Sequence, residues 1–263
     1  SHPEIVYEGI GVSLPGRVDE SGRLVFAPNL HWEKLELRQP IERAVGLPVV
    51  LENAASACAL AELWFGRQAD TVKHLVAVTV SEGIGVGLLI NGQVVHGRDA
   101  MAGEFGHVTL NEDGPPCACG KRGCWEQYAS NSAAVRHYQE LVRGATGGRR
   151  AGQKGATLKF SDLLRLAEEG DAHAAAALDR MAHYLGVGVA SLVVGLAPQV
   201  VVIAGEVTAA WDRIGPVVVE TARRRTLPAN TTPIVPTDPG TQPRLRGAVT
   251  LVVQQHFGAP NVA

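Results

Sequence analysis

The chain has 263 residues, of which 46% are hydrophobic and 19% charged, and a formal net charge of −2. This is the composition of an ordinary globular protein, long enough for a sizeable core in one domain or two. The basic excess of a nucleic-acid-binding surface is missing, which disfavours DNA contact by this portion, and no signal-peptide pattern opens the chain, so the cytoplasm is the default compartment.

Residues 4–13, EIVYEGIGVS, read as a strand, with turns at Pro15-Gly16, Val18-Asp19 and Gly22. Pro28-Asn29-Leu30 leads to Trp32, an aromatic anchor, before a short helix near Pro40. Pro48 to Glu52 is a compact apolar strand, and Asn53 to Gly66 an Ala-rich helix with Asn53 as N-cap. Cys58, inside that helix, reads as a small buried apolar residue. After a linker from Arg67 to Thr71, His74 to Val80 is a strand. Gly85 to Ile90 and Gln93 to His96 form a hairpin about Asn91-Gly92, the strongest short signal for a tight turn. Between these strands Ser81-Glu82-Gly83-Ile84-Gly85 is a glycine-rich loop of the kind that can cradle phosphate with backbone N–H groups.

The stretch from Glu104 to Glu126, EFGHVTLNEDGPPCACGKRGCWE, is the most informative in the chain. It holds three of the four cysteines, Cys117, Cys119 and Cys124, preceded by His107. Three thiolates and an imidazole are a standard closed shell for structural Zn²⁺, and the glycines and prolines among them let the backbone turn the sulfurs inward. One disulfide plus a spare thiol is the alternative. C-x-C is a strained spacing for such a bridge, and nothing else in the sequence suggests secretion.

Glu126 to Arg143 continues as a helix, and residues 144–156 form a glycine-rich basic loop whose Arg149, Arg150 and Lys154 are read as solvated. Ser161 is read as the cap of a helix to Glu169, followed by a longer helix from Asp171 to Ala197. The apolar run from Leu185 to Gly205 is long enough to cross a bilayer, but Gly195 and Pro198 divide it into a buried helix and the buried strand Val200 to Ala204. Asp212 to Arg225 is helical, Thr226 to Thr241 Pro-rich and extended, and Leu245 to Phe257 helical.

E-x-G-H followed by C-x-C-G-x-x-G-C-x-E resembles the zinc signature of the ROK family, which holds bacterial sugar kinases and sugar-responsive transcriptional repressors. The resemblance continues in G-V-x-x-P-G-x-V-D at Gly11 to Asp19 and A-P-N-L-x-W at Ala27 to Trp32, and covers nearly all of the chain. It implies an α/β fold of the two-lobed actin/hexokinase-like ATPase type. It also implies that the fold is incomplete at the N-terminus, because the family's D-x-G-x-T phosphate hairpin does not precede Glu4. No winged helix-turn-helix precedes it either. Residues 1–72 with 245–263 are expected to form the remnant of one lobe, with a returning C-terminal helix, and 73–244 the zinc-containing lobe.

The resemblance also assigns roles. His107, Cys117, Cys119 and Cys124 would hold a structural Zn²⁺. Glu104, His107 and Glu126, with Asn53 and Gly16 from the other lobe, would hold sugar hydroxyls. Kinases of the family carry Asn-Asp at the strand-to-helix corner, the Asp acting as base; here Ala54 follows Asn53, so no catalytic residue is assigned. The kinase loop G-T-G-x-G is here Ser81, Glu82, Gly83, Ile84, Gly85, and the kinase G-G-G corner is Ala204, Gly205, Glu206. Both nucleotide elements are thus degenerate and acidic, and a carboxylate repels a triphosphate. The S-E-G-I-G loop looks more like the repressor branch, including repressors of xylose operons.

These features favour the sugar-sensing effector domain of a ROK-type repressor over two alternatives, an ATP-dependent sugar kinase and a zinc-stabilised protein-interaction module. The expected partners are a small sugar, DNA only through an N-terminal winged helix-turn-helix absent from this chain, no membrane, and a second copy in a homodimer or dimer of dimers.

Overall fold

The computed structural model describes residues 6–19, 21–66, 71–145 and 158–258. Parts of the linker (67–70) and of the basic loop (146–157, with Arg149, Arg150 and Lys154) lie outside the described residues.

The first strand, β1 (Ile10–Leu14), is shorter than the expected 4–13, because its parallel partner β5 (Val49–Asn53) runs only from Ile10↔Val49 to Leu14↔Asn53. Between them lie β2 (Arg17–Val18), β3 (Arg23–Ala27) and β4 (Trp32–Glu36), an antiparallel sheet, and then α1 (Arg38–Val45). β4 was not anticipated. As the edge strand it is exposed along its whole length, so Trp32, 43% exposed, is no anchor.

After β5 comes α2 (Ala54–Phe65), whose N-cap Asn53 accepts from the amides of Ala55 (2.8 Å) and Ser56 (3.2 Å). A five-stranded sheet follows, assembled from β6 (Leu75–Val80), β7 (Ile84–Ile90), β8 (Gln93–Val94), β9 (Val200–Gly205) and β10 (Ile234–Pro236) in the order β10-β9-β6-β7-β8. The tight turn sits at Asn91 and Gly92, both at positive φ, as its sequence demands.

Both faces of this sheet are covered, which is why β6 is buried along its length rather than alternating with polar residues. Its Val76, Val78 and Val80, with Val201 and Ile203 of β9, join one core; Leu75 and Ala77, with Val200, Val202 and Ala204, join another that contains Cys58, Leu60 and Leu63 of α2. The first core is built on the helical side from α3 (Glu126–Ala129), α4 (Asn131–Ala145), α5 (Phe160–Glu168), α6 (Ala172–Leu196) and α7 (Trp211–Arg223). The last helix, α8 (Pro243–Phe257), packs on α2, β1 and β5.

The expected helix 126–143 breaks at Ser130, whose backbone is extended and whose Oγ accepts from Ala133 N at 3.2 Å. A serine that satisfies the next turn's free N–H groups ends one helix and caps another. The cap expected at Ser161 is displaced: α5 already starts at buried Phe160, and Asp162 Oδ2 accepts from Lys159 N at 2.9 Å. The extended segment 226–241 contains β10 and a 3₁₀ turn at Pro239–Thr241. The apolar run at 185–205 is the second half of α6, buried through Val193 on the face that meets the core and exposed at Val194, followed by the buried β9, and among the described residues no helix is long and apolar enough to cross a membrane.

Candidate functional site

A cavity of about 400 Å³ lies where the β5–α2 corner, the β6–β7 loop and the cysteine-rich segment face one another. Pockets of this size suit a small molecule. Of the residues expected at the site, Gly16, Asn53, Ala54, Ser81, Gly83, Gly85, Glu104, His107 and Glu126 all line it.

On one wall, Gly16 turns the chain at φ +96, and a Cβ there would stand 2.5 Å from Phe26 O. Its carbonyl accepts from Asn53 Nδ2 at 2.7 Å. Asn53 therefore ties the β1–β2 turn to α2: its Oδ1 is spent on the helix cap, and one N–H remains to be offered to a ligand. Ala54 presents only a methyl group beside it.

The opposite wall is acidic. Glu104 and His107 share one 3₁₀ turn, Glu104–His107, and Glu126 opens α3. The His107 ring stands between the two carboxylates, with Nε2 3.7 Å from Glu104 Oε2 and Nδ1 3.6 Å from Glu126 Oε1. Burial pushes the Glu104 carboxyl above its ordinary range, with the charges of His107 and Arg17 opposing. Gly83 is the close approach between the walls: a Cβ there would lie 2.6 Å from both Asn29 Nδ2 and Glu126 Oε2.

Behind this wall the cysteine segment folds into a knuckle. Cys117 N donates to Lys121 O (2.8 Å), Gly120 N to Cys117 O (3.0 Å), and Lys121 Nζ to His107 O (2.8 Å). The result gathers one donor atom from each of His107, Cys117, Cys119 and Cys124 within 4.8 Å of one another. Cys119 and Cys124 Sγ are 3.6 Å apart, and Cys117 Sγ is 3.6 Å from His107 Nδ1. A disulfide needs about 2.05 Å, so all three thiols are free. A tetrahedral ion with arms of about 2.3 Å to sulfur and 2.0 Å to nitrogen needs donor separations of roughly 3.5–3.8 Å. The four residues fit one metal ion. Cys117 Sγ also donates to Glu126 Oε1 at 3.0 Å, which links the knuckle to the cavity wall.

The other residues expected at degenerate nucleotide loops, Glu82, Gly205 and Glu206, do not line the cavity. Glu82 turns away and accepts from Ser132 Oγ, while Glu206 Oε2 accepts from Asn131 Nδ2 at 3.0 Å. The two loops thus converge on the side chains of the first two residues of α4, at a helix end whose dipole favours negative charge.

Sequence reading missed Arg17, Asn29, Glu52, His96 and Arg244, which also line the cavity. Glu52 and Asn29 sit inside a strand and a motif read for other reasons. No local pattern marks the others.

The sequence model of the ROK family matches residues 2–255. The chain is 34% identical to a xylose repressor of Bacillus subtilis (strain 168) over 195 residues, 74% of this chain and 47% of that protein. It is 36% identical to a glucokinase of Halalkalibacterium halodurans over 210 residues, 78% of this chain and 63% of that one. It spans about half the length of the repressors it matches. Among solved structures, the ROK family glucokinase of Streptomyces griseus in complex with glucose and AMPPNP superposes with a TM-score of 0.84 at 29% identity, covering 95% of this chain and 83% of that one. A ROK family transcriptional regulator, a homolog of the E. coli MLC protein, gives 0.79 at 27% identity, covering 96% and 64%. The mixed α/β architecture is that of ROK glucokinases and regulators, of actin/hexokinase-like type.

Proposed function

Because this chain belongs to the ROK family, we propose that it is the sugar-sensing effector unit of a transcriptional repressor. A small sugar binds in the cavity, between a lobe formed by residues 1–72 with 245–263 and a lobe formed by 73–244. In this division α8 returns to pack on α2, β1 and β5, and α2 joins the two lobes through its packing on β6 and β7. The observation that carries the reading is the contrast at the cavity. Acceptors for vicinal hydroxyls line it at Glu104 and Glu126, while Ala54 occupies the corner where the family's kinases carry a base. Loss of a positioned base costs about 10²–10⁴-fold in rate.

His107, Cys117, Cys119 and Cys124 are proposed to hold Zn²⁺. With four protein ligands no position is open to substrate, so the ion would only organise the knuckle. The chain's own residues do the recognition: His107 presents Nε2 beside Glu104, and Asn53 offers its remaining N–H across the cavity. In this reading the protein is cytoplasmic and dimeric, and DNA contact is assigned to an N-terminal winged helix-turn-helix beyond these residues.

The experiment is calorimetric titration of zinc-loaded chain with xylose, glucose, N-acetylglucosamine and N-acetylmannosamine, beside Glu104→Ala. Saturable binding of one sugar, lost in the variant, is expected. Folded protein that gives no heat with any sugar sinks the reading in favour of a zinc-stabilised interaction module. The glucokinase relatives favour a second reading, a sugar kinase. Sugar-dependent ADP release from ATP would establish it.

A further inference from the structure

The charged residues around the main cavity are unequally partnered. Each carboxylate on the lining has a counterpart. Glu52 accepts from Asn53 N at 2.7 Å and lies 2.8 Å from His96 Nε2. With His96 and Val18 it closes the cavity off from a second one of about 280 Å³. Glu126 Oε1 accepts from Cys117 Sγ at 3.0 Å, and Glu104 Oε2 stands 3.7 Å from His107 Nε2. The two guanidiniums on the lining differ: the side chains of Arg17 and Arg244 have neither a hydrogen bond nor an ion pair among the described residues, and Nε of Arg17 is buried without a partner. A guanidinium offers five donors and does not give up its charge.

Both guanidiniums flank the corner at Ala54. Arg17 follows Gly16, whose carbonyl accepts from the side chain of Asn53, the residue before Ala54. Arg244 stands in the first turn of α8, and its charge reaches Cys58, one turn beyond Ala54 on α2. The dipole of α8 adds positive potential at that end. The charge of Arg17 also reaches Glu104, yet the two form no ion pair among the described residues. A ligand can therefore bridge them, with a negative group towards Arg17 and hydroxyls towards Glu104.

Of the negative groups a sugar can carry, a carboxylate suits this corner better than a phosphate. It brings one charge rather than nearly two past Glu52, Glu104 and Glu126. Its two oxygens also match the fork of a guanidinium. With a methyl group at Ala54, where the family's kinases carry Asp, the carboxylate at this corner can come from the ligand.

We propose that the ligand is an acidic sugar, a uronate, whose carboxylate lies at the Ala54 corner against Arg17 and Arg244 while its ring hydroxyls meet Glu104 and Glu126. The proposal rests on the sugar-sensor reading and adds to it the charge of the ligand.

The test is calorimetric titration of the whole zinc-loaded chain with glucuronate and galacturonate beside xylose, glucose, galactose and glucose 6-phosphate. Glucuronate presents a carboxylate where xylose has a hydrogen and glucose a hydroxymethyl group. One uronate is expected to bind more tightly than its neutral counterparts by about tenfold or more, the effect of a hydrogen bond to a charged group. The titrations are repeated on Arg17→Gln, Arg244→Gln and Ala54→Asp, each expected to cut that ratio by about fivefold or more. Arg244 is exposed, so its replacement leaves the core intact, and a ratio of two ligands is unmoved by a general loss of the pocket. If the neutral sugars bind as tightly as the uronates, or glucose 6-phosphate binds more tightly than either uronate, the proposal falls while the sensor reading stands. A uronate preference that none of the three variants alters would overturn the placement of the carboxylate. If folded protein binds none of these sugars, the proposal and the sensor reading fall together.

Discussion

The side-chain amide of Asn131 donates to the Glu206 carboxylate across 3.0 Å, joining the first residue of α4 to the corner after β9. Ser132, the next residue, bonds Glu82 from the β6–β7 loop. The two loops expected from the family resemblance to lie near a nucleotide thus carry carboxylates bonded to the first two side chains of α4. Removing one like charge from the neighbourhood of a phosphate is worth on the order of 1–4 kcal/mol. Glu82→Thr combined with Glu206→Gly is therefore expected to raise affinity for Mg-ADP at least tenfold over the unaltered chain, read by titration calorimetry. Equal affinities would show that these carboxylates do not govern nucleotide binding.

The cavity acids set a second expectation. A hydrogen bond to a charged group contributes about 1.5–3 kcal/mol, so Glu104→Gln or Glu126→Gln should weaken sugar binding by roughly 10- to 150-fold. Thermal melts of both variants close to that of the parent would place the loss in recognition rather than folding.

The knuckle can be tested without any sugar. Metal analysis of the purified chain is expected to find one zinc per chain, and Cys119→Ser to lose it. Structural zinc in small peptides is worth about 10–16 kcal/mol; losing even a third of that would lower Tm by on the order of 10 °C. A melting point indifferent to both chelator and Cys119→Ser would refute a structural metal.

Gly188 of α6 faces the ring of Trp125, which is 1% exposed and donates its Nε1–H to Tyr184 O at 2.8 Å. A Cβ at 188 would stand 1.9 Å from Trp125 Cε2. Gly188→Ala should overpack this contact and destabilise the protein by about 1–3 kcal/mol, seen as a lower denaturation midpoint in urea.

Asp171 caps α6, accepting from the amides of His173 (2.8 Å) and Ala174 (2.9 Å). The hydrogen bond from Ala174 is the main reason its pKa lies below the ordinary value, with His173 and Tyr138 adding to it against burial. A carboxylate with a depressed folded pKa stabilises above its unfolded pKa of about 3.9. That stability is lost as pH falls through the folded value. Asp171→Ala should cost about 0.5–2 kcal/mol near neutrality. The difference from the parent should shrink towards zero in acid, as followed by urea denaturation at pH 7 and pH 3.

Elements with a local cause were legible in the sequence. Asn53 capping α2, the Asn91-Gly92 turn and the buried helix-to-strand run at 185–205 each follow from a few neighbouring residues, and each stands where expected. The errors came where neighbours decided. β4 exists because β3 pairs with it, although its face is exposed. The break at Ser130 depends on a single hydroxyl choosing the next helix. The upstream limit of β1 is set by the length of β5.

The candidate site divides in the same way. The sequence by itself determined the family and the four residues that could hold a metal ion, because His107, Cys117, Cys119 and Cys124 lie within one short segment whose turns bring them together locally. Only the tertiary structure decided that Glu52 meets His96 across 44 positions, that a second cavity lies behind them, and that Glu82 and Glu206 converge on α4. Such contacts are made by sheets and helices packing from distant parts of the chain. The partners' spacing in sequence carries no signal of them, since side chains meet through the folded core rather than along the backbone.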